Sequence, residues 1–179
     1  MKKFFCYGKQ GICEKDGYHI CDKCEYLSNK GGKYVEVPEF PKMKVMLDPG
    51  AIMPTRAHST DAGLDLFSPV RQVIRANDWV SIDTGVHVEI YEGYVGMITS
   101  KSGLMAKEGI TSRGTIDCGY TGSIKAVLFN HSRKDYIVEK GQKITQLVIM
   151  PIITPEPELV DSLEATERGN GGFGSTGKF

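Results

Sequence analysis

The chain has no charge of either sign to spare, no long apolar run and almost no helical periodicity. Its 22 basic residues match 22 acidic ones, so no general field draws in nucleic acid or an anionic membrane, and any anion must be bound locally. No stretch of about 18 apolar residues exists, which excludes a membrane-spanning helix. Met1-Lys2-Lys3-Phe4-Phe5 imitates the start of a signal peptide, but Gly8, Lys9, Gln10 and Glu14 interrupt any apolar region. The expectation is a cytoplasmic protein. Beyond residue 24 cysteine is nearly absent, with Cys118 the one exception.

What is present points to strands and turns. The 21 glycines and 8 prolines fall among short alternating runs, a composition that suits a turn-dense β fold. Val80, Ile82, Val86, Val88 and Ile90 alternate with polar residues, Val95 and Met97 continue the period, and Ile144, Gln146, Val148 and Met150 repeat it. One helical turn is expected, Ser102 to Lys107, cut by Gly109. No internal repeat is visible. The fold class expected is all-β, a jelly-roll-like sandwich, and 179 residues suffice for one such domain with a small appendage.

The appendage is residues 1–32. Cys6, Cys13, Cys21 and Cys24 lie there, with His19 among them, and too few aliphatic residues surround them to build a core unaided. In a reducing compartment Cys21-x-x-Cys24 suits one knuckle of a structural zinc site, with Cys6 and Cys13 completing it. His19 is an alternative ligand. A redox-active Cys-x-x-Cys and unligated thiols are the other readings. Gly31, Gly32, Pro38 and Pro41 mark a linker over 33–42 with a short strand at Lys33 to Val37. The β-domain is expected over 43–152. After Pro151, Pro155 and Pro157 an extended arm over 153–179 delivers a glycine-rich end well away from the preceding strand.

Four further stretches carry chemistry alongside that end. In Arg168 to Gly177 ten residues hold five glycines, so the segment cannot pack as core. Its backbone N–H groups, the Ser175 and Thr176 hydroxyls and the Arg168 guanidinium suit phosphate, and Phe173 suits stacking on a flat base. A glycine-rich tail with no ligand is the plain alternative. Asp65, among small neighbours at a strand end, suits the waters of a Mg²⁺, or else caps a turn. Ser102 opens the helical turn, either for an anion or as a simple N-cap. Ile116 to Gly122 reads as a β-hairpin whose backbone donors and acceptors match the edge of a pyrimidine. Asp117 there is the best group to orient or deprotonate a water, unless it is only a turn acid, with Tyr120 a core aromatic. Gln146 presents an amide that needs a partner on a strand with apolar alternate residues; phosphate or an interface hydrogen bond would supply it.

Ala62-Gly63-Leu64-Asp65-Leu66, Ser100-Lys101-Ser102-Gly103-Leu104, Gly114 to Gly122, Gly141 to Leu147 and the glycine-rich end together resemble, in order, the five motifs of the trimeric dUTPase family. The resemblance covers about residues 43 to 179 and leaves the Cys-rich segment out. It implies hydrolysis of dUTP to dUMP and pyrophosphate by water attack on the α-phosphorus, with Mg²⁺ as cofactor. Asp65 would hold the metal through water, Ser102 with Gly103 would contact the phosphates, and Gln146 would meet the α-phosphate or a metal-bound water. Asp117 would aim the attacking water. Ile116 and Tyr120 would line the nucleoside, Phe173 and Gly174 would cover the uracil, and Arg168, Ser175 and Thr176 would reach the γ-phosphate. A homotrimer with shared sites is implied, and no nucleic-acid partner. The usual family pattern Pro-Arg-Ser-Gly-Leu-Ala becomes Ser100-Lys101-Ser102-Gly103-Leu104-Met105 here, and lysine loses the bidentate fork of arginine.

Two other functions compete. The dCTP deaminases share the fold, but place a glutamate where this chain has Val127. An interaction protein is the reading of another class, with the N-terminal module docking a protein partner.

Overall fold

The computed structural model describes residues 4–6, 11–13, 42–172 and 175. The chain forms two units, 1–44 and 45–179. In the first, β1 (Phe4–Cys6) and β2 (Gly11–Cys13) pair antiparallel, with Phe4 opposite Cys13 and Cys6 opposite Gly11. The expected zinc ligands Cys21, Cys24 and His19, and the strand expected at Lys33 to Val37, lie outside the described residues.

The second unit is the expected all-β fold. Its strands are β3 (Val45–Leu47), β4 (Gly63–Phe67), β5 (Gln72–Ile74), β6 (Trp79–Asp83), β7 (Val86–Val88), β8 (Tyr94–Thr99), β9 (Ile110–Ile116), β10 (Lys125–Asn130), β11 (Tyr136–Val138) and β12 (Lys143–Pro151). Six of them form one sheet in the order β4-β12-β8-β9-β10-β6, while β11-β5 and β3-β7 make two small pairs. Ile74, Ile82, Ile110, Ala126, Leu128, Val138 and Ile144 pack into one cluster, so the β11-β5 pair and the large sheet share a core. Among the described residues no helix is long and apolar enough to cross a membrane.

Among the described residues the one helix is α1 (Ser102–Glu108), ended by Gly109 at φ 70, a left-handed position that glycine adopts without strain. The cap falls one residue earlier than expected. Lys101 occupies the N-cap with no side-chain cap bond, and Ser102 is the first helical residue, exposed and free of capping duty.

Two strand expectations need correction. On β12 strict alternation would set Ile144, Gln146 and Val148 on one face. Instead the register against β4 shifts between Lys143 and Thr145. Ile144, Thr145 and Leu147 are buried, while Gln146 and Val148 are half-exposed on the other face. The cause is a β-bulge, which inserts one residue and reverses the facing of everything before it. The hairpin expected over 116–122 is also wider than its turn signals suggest. Pairing between β9 and β10 stops at Ser112–Leu128. Beyond it Arg113 to Ile116 pair with β8, and Lys125 to Val127 pair with β6. The two strands part, and 117–124 bridges them as an open loop.

Asn130 fixes the end of β10. Buried at 2% exposure, its Nδ2 donates to the carbonyls of Ile74 and Arg75 at 3.1 Å and of Lys134 at 2.8 Å, and its Oδ1 accepts from Ser132 N–H. Asn130→Leu keeps the volume but leaves these groups without a partner. It should cost about 3 kcal/mol, read as a lowered urea midpoint at fixed protein concentration with an unchanged slope.

Candidate active site

Antiparallel pairing sets Asp65 of β4 opposite Gln146 of β12, and Gln146 opposite Thr99 of β8. Directly opposed residues share a face, so an acid, an amide and a hydroxyl form one row across three strands. Gly63 and Val148 form the next pair on that face. Gly63 has a steric reason to lack a side chain, since a Cβ there would collide with the Gln146 amide. Above this row lies a polar cavity of about 310 Å³, lined by Ala57, Asp61, Ala62, Gly63, Asp65, Lys101, Gln146 and Val148. Three separate stretches of sequence thus meet in one place.

Asp65 is its electrostatic centre. The residue is 6% exposed, and each carboxylate oxygen has its own ammonium: Lys101 donates to Oδ1, and Lys143 lies 2.8 Å from Oδ2. Burial alone would favour the neutral acid, but the two ammonium groups outweigh it and hold Asp65 below its ordinary range. Lys143 arrives there because of the bulge. Three residues before Gln146, it would face the opposite side of a regular strand, whereas the bulge pairs it with Phe67 on the Asp65 side. Its ammonium also lies 5.9 Å from the Phe67 ring centroid, within cation–π range. The sequence reading missed this lysine, for which spacing gave no signal.

Gln146 Nε2 donates to the Ser100 carbonyl at 3.2 Å, which ties β12 to the segment entering α1. Ser100 in turn extends the β8–β9 ladder with its side chain, accepting from Ser112 N–H at 2.9 Å and donating to the Ser112 carbonyl at 3.1 Å. A proline at this position could offer neither bond.

Asp65, Lys101 and Gln146 therefore come together, with Ser102 and Gly103 exposed on the adjoining turn. The remaining expected residues lie elsewhere. Ile116 ends β9, Asp117 and Tyr120 sit exposed on the open loop, and Cys118 is an exposed free thiol. Arg168 belongs to the exposed end of the arm, where its Nε donates to the Gly171 carbonyl at 3.0 Å. Ser175 is exposed, and Phe173, Gly174 and Thr176 lie outside the described residues.

An all-β fold with this acid–amide row at the edge of a polar cavity defines a class, and comparison with known proteins names it. The dUTPase family model matches residues 50–177. The chain belongs to the dUTPase family. It is 46% identical to the deoxyuridine 5'-triphosphate nucleotidohydrolase of Clostridium acetobutylicum over 134 residues, which span 73% of this chain and 92% of that protein. The Yarrowia lipolytica protein of the same name is 42% identical over 134 residues, 73% of this chain and 85% of that one. Among solved structures, the dUTPase of Staphylococcus bacteriophage 80alpha with dUpNHpp superposes with a TM-score of 0.72 at 37% identity, over 76% of this chain and 98% of that chain. A mutant dUTPase from phage phi11 of S. aureus, described with a structural Mg(II) ion, matches with a TM-score of 0.65 at 33% identity, over 70% of this chain and all of that one (100%).

The Asp65 cluster has a testable pH signature. A carboxylate with a lowered folded-state pKa contributes stability that is present above its unfolded value of about 3.9 and is lost as pH falls through the lower folded value. Asp65→Asn should lose part of the neutral-pH stability and narrow its gap to the parent protein as the solution is acidified below about pH 4, measured as parallel melting curves of the two proteins.

Proposed function

We propose that this chain hydrolyses dUTP to dUMP and pyrophosphate. The observation that carries the reading is the convergence of Asp65, Lys101 and Gln146, each from a different motif, on one polar cavity, in a chain that belongs to the dUTPase family.

The chemistry needs phosphate charge to be gathered, a water to be aimed and the base to be read. Lys101, with the Ser102 hydroxyl and the N–H groups of Ser102 and Gly103, meets the phosphate chain. Lys143 adds a second cation once drawn from Asp65. Gln146 turns its amide toward the α-phosphate. The strands β9 and β10, unpaired with each other beyond Ser112–Leu128, leave backbone donors and acceptors to pair with uracil from Ile116 onward. Asp117 orients the attacking water and accepts its proton, and Tyr120 packs under the deoxyribose. Arg168, Ser175 and Thr176 close on the γ-phosphate, with Phe173 and Gly174 over the base.

The cavity fits a hydrated Mg²⁺. Asp65 is kept ionised beside the phosphate site, and no group of three or more acidic, His or Cys ligands stands ready to cage an ion among the described residues. That is the donor set of a metal that takes most of its oxygens from water and substrate. When bound, the metal supplies charge neutralisation on the phosphates, with Asp65 holding it through water.

The site is completed between chains, in a homotrimer. Asp117 and Tyr120 stand apart from the cavity that their own chain forms, and the arm carries Ile153, Leu159 and Leu163 at 89%, 100% and 88% exposure. Such residues call for a neighbouring surface. The N-terminal segment is a separate structural zinc module, with Cys6, Cys13, Cys21 and Cys24 as ligands or His19 in place of one cysteine. The Cys21-x-x-Cys24 spacing supports this, and metal analysis of purified protein should find one zinc per chain, whose removal by chelation leaves dUTP turnover intact once Mg²⁺ is restored.

Pyrophosphate release should be seen with dUTP, and not with dTTP, dCTP or UTP, in Mg²⁺ and not in EDTA. Asp117→Asn should lower kcat by about 10²–10⁴-fold with little change in the melting temperature. A folded, metal-replete protein that leaves dUTP intact would defeat the proposal.

A further inference from the structure

The loop 117–124, which carries Asp117 and Tyr120, is held by one edge of the fold. Its return end is anchored firmly: Ile124 N–H donates to Val86 O at 2.8 Å, and the Ile124 carbonyl accepts from both the Thr84 N–H and the Thr84 hydroxyl. Ser123 Oγ donates to Asp83, which also accepts from Gly85 N–H. Nearer the tip, Tyr120 OH donates to Ser123 O at 3.1 Å and its ring lies over Gly122, where a Cβ would come within 2.6 Å of ring carbon Cζ. Between the tip and this anchor stands Thr121, and its carbonyl lies 2.8 Å from Nδ1 of His87 on β7.

The other nitrogen of His87 also faces an acceptor. Nε2 is shut off from solvent and lies 3.2 Å from Oδ2 of Asp48, an ion-pair distance without the geometry of a hydrogen bond. A neutral imidazole has one N–H and one lone pair, so it can serve only one of these oxygens and must turn its lone pair on the other. An imidazolium serves both. We propose that His87 is a positioning residue for dUTP hydrolysis, which in its protonated form, with Asp48 as counter-ion, fixes the Thr121 carbonyl and so holds Asp117 and Tyr120 in place. This rests on the function proposed above.

The surroundings agree. The Thr121 carbonyl first, and then the Asp48 carboxylate, raise the His87 pKa above its ordinary 6.5, with Asp83 adding to them and partial desolvation opposing. From β3 the cross-strand neighbour is uncharged Met46, with Asp48 just past the strand end; from β6 comes Asp83, itself beside Lys125 of β10. The link is therefore complete below pH 6.5 and lost as pH rises through the higher folded-state value. On deprotonation the remaining proton stays on Nε2, because a lone pair there would face the Asp48 carboxylate at 3.2 Å with no solvent to separate them. The Thr121 carbonyl then faces a lone pair, and the loop loses its middle tether.

Two variants separate the roles. In His87→Asn the side-chain amide can donate from near the Nδ1 position at every pH, whereas in His87→Gln it extends toward Asp48 and leaves Thr121 unheld. Pyrophosphate release from dUTP by the full chain should be followed from pH about 6 to about 9, always as the ratio of parent to variant, so that titration of the substrate's own phosphates cancels. The ratio of kcat/KM for parent over His87→Asn should fall about three- to tenfold across that range, the worth of one hydrogen bond. His87→Gln should be low throughout. A flat parent to His87→Asn ratio would overturn the proposal. Proton and nitrogen NMR of His87 supplies a readout independent of turnover: its titration should move the Tyr120 and Thr121 backbone resonances together, and a titration that leaves the loop unmoved would equally overturn it. Absence of dUTP turnover with the coupled titration intact would instead count against the proposed function while upholding the tether.

Discussion

A buried carboxylate between two ammonium groups is the constraint around which the site is built. Asp65 is nearly inaccessible, and leaving it ionised there without partners would be costly. The fold meets the cost with one lysine from the segment entering α1 and one from β12. Both depend on backbone features rather than on chance proximity. Lys101 is the N-cap of α1, so its side chain leaves from a fixed point beside the strand row. Lys143 reaches the same face only because the bulge on β12 turns it there. The same bulge drives Ile144 into the core cluster. Packing and electrostatics therefore share one irregularity: regularising β12 would expose an isoleucine and strip a buried charge of one partner together.

A second irregularity does comparable service at the other end of the sheet. A tight hairpin between β9 and β10 would use up its backbone hydrogen bonds internally. Here each strand instead takes a different partner near the tip, β8 for one and β6 for the other. The gap leaves backbone groups to be satisfied from outside the ladder, and a loop whose geometry must be set by side chains. Hence the density of anchors around Thr84, Asp83, Ser123 and His87. A loop that opens toward a ligand has to be tethered from behind.

Much of this was legible in the sequence. The alternation over residues 80–90 points Val80, Ile82, Val86, Val88 and Ile90 inward; the last four are buried and Val80 is half-buried against the core. Gly109 ends the helix Ser102–Glu108, with the left-handed φ of 70 that glycine accepts. Asp65, Lys101 and Gln146 were singled out from motifs and meet in one cavity. What escaped notice was non-local. Lys143 carries no periodic signal, because a bulge is set by how two distant strands settle against each other. His87 is three residues before Ile90 in an unremarkable strand, and its meaning depends on Thr121, 34 residues away. Ile144, on the far side of the bulge from Gln146 and Val148, leaves their face for the same reason.

The work is divided along the chain. The cavity collects groups suited to phosphate and to a hydrated cation, all from rigid strands or from the start of a short helix. Groups suited to the nucleoside and to the attacking water sit on a loop beyond it, and those suited to closure sit on an arm with its apolar residues in solvent. A catalytic geometry is good to within about half an ångström only when its supports are rigid. The parts that bear most charge are therefore built into the sheet, where desolvation strengthens them, and the parts that must let substrate in and product out are hung on segments whose contacts can be broken. The proposed assembly between copies would reconcile the two demands. Strand-borne charges of one chain can face the tethered loop of another, and an arm too extended to fold back on its own sheet can find its cover on a neighbour.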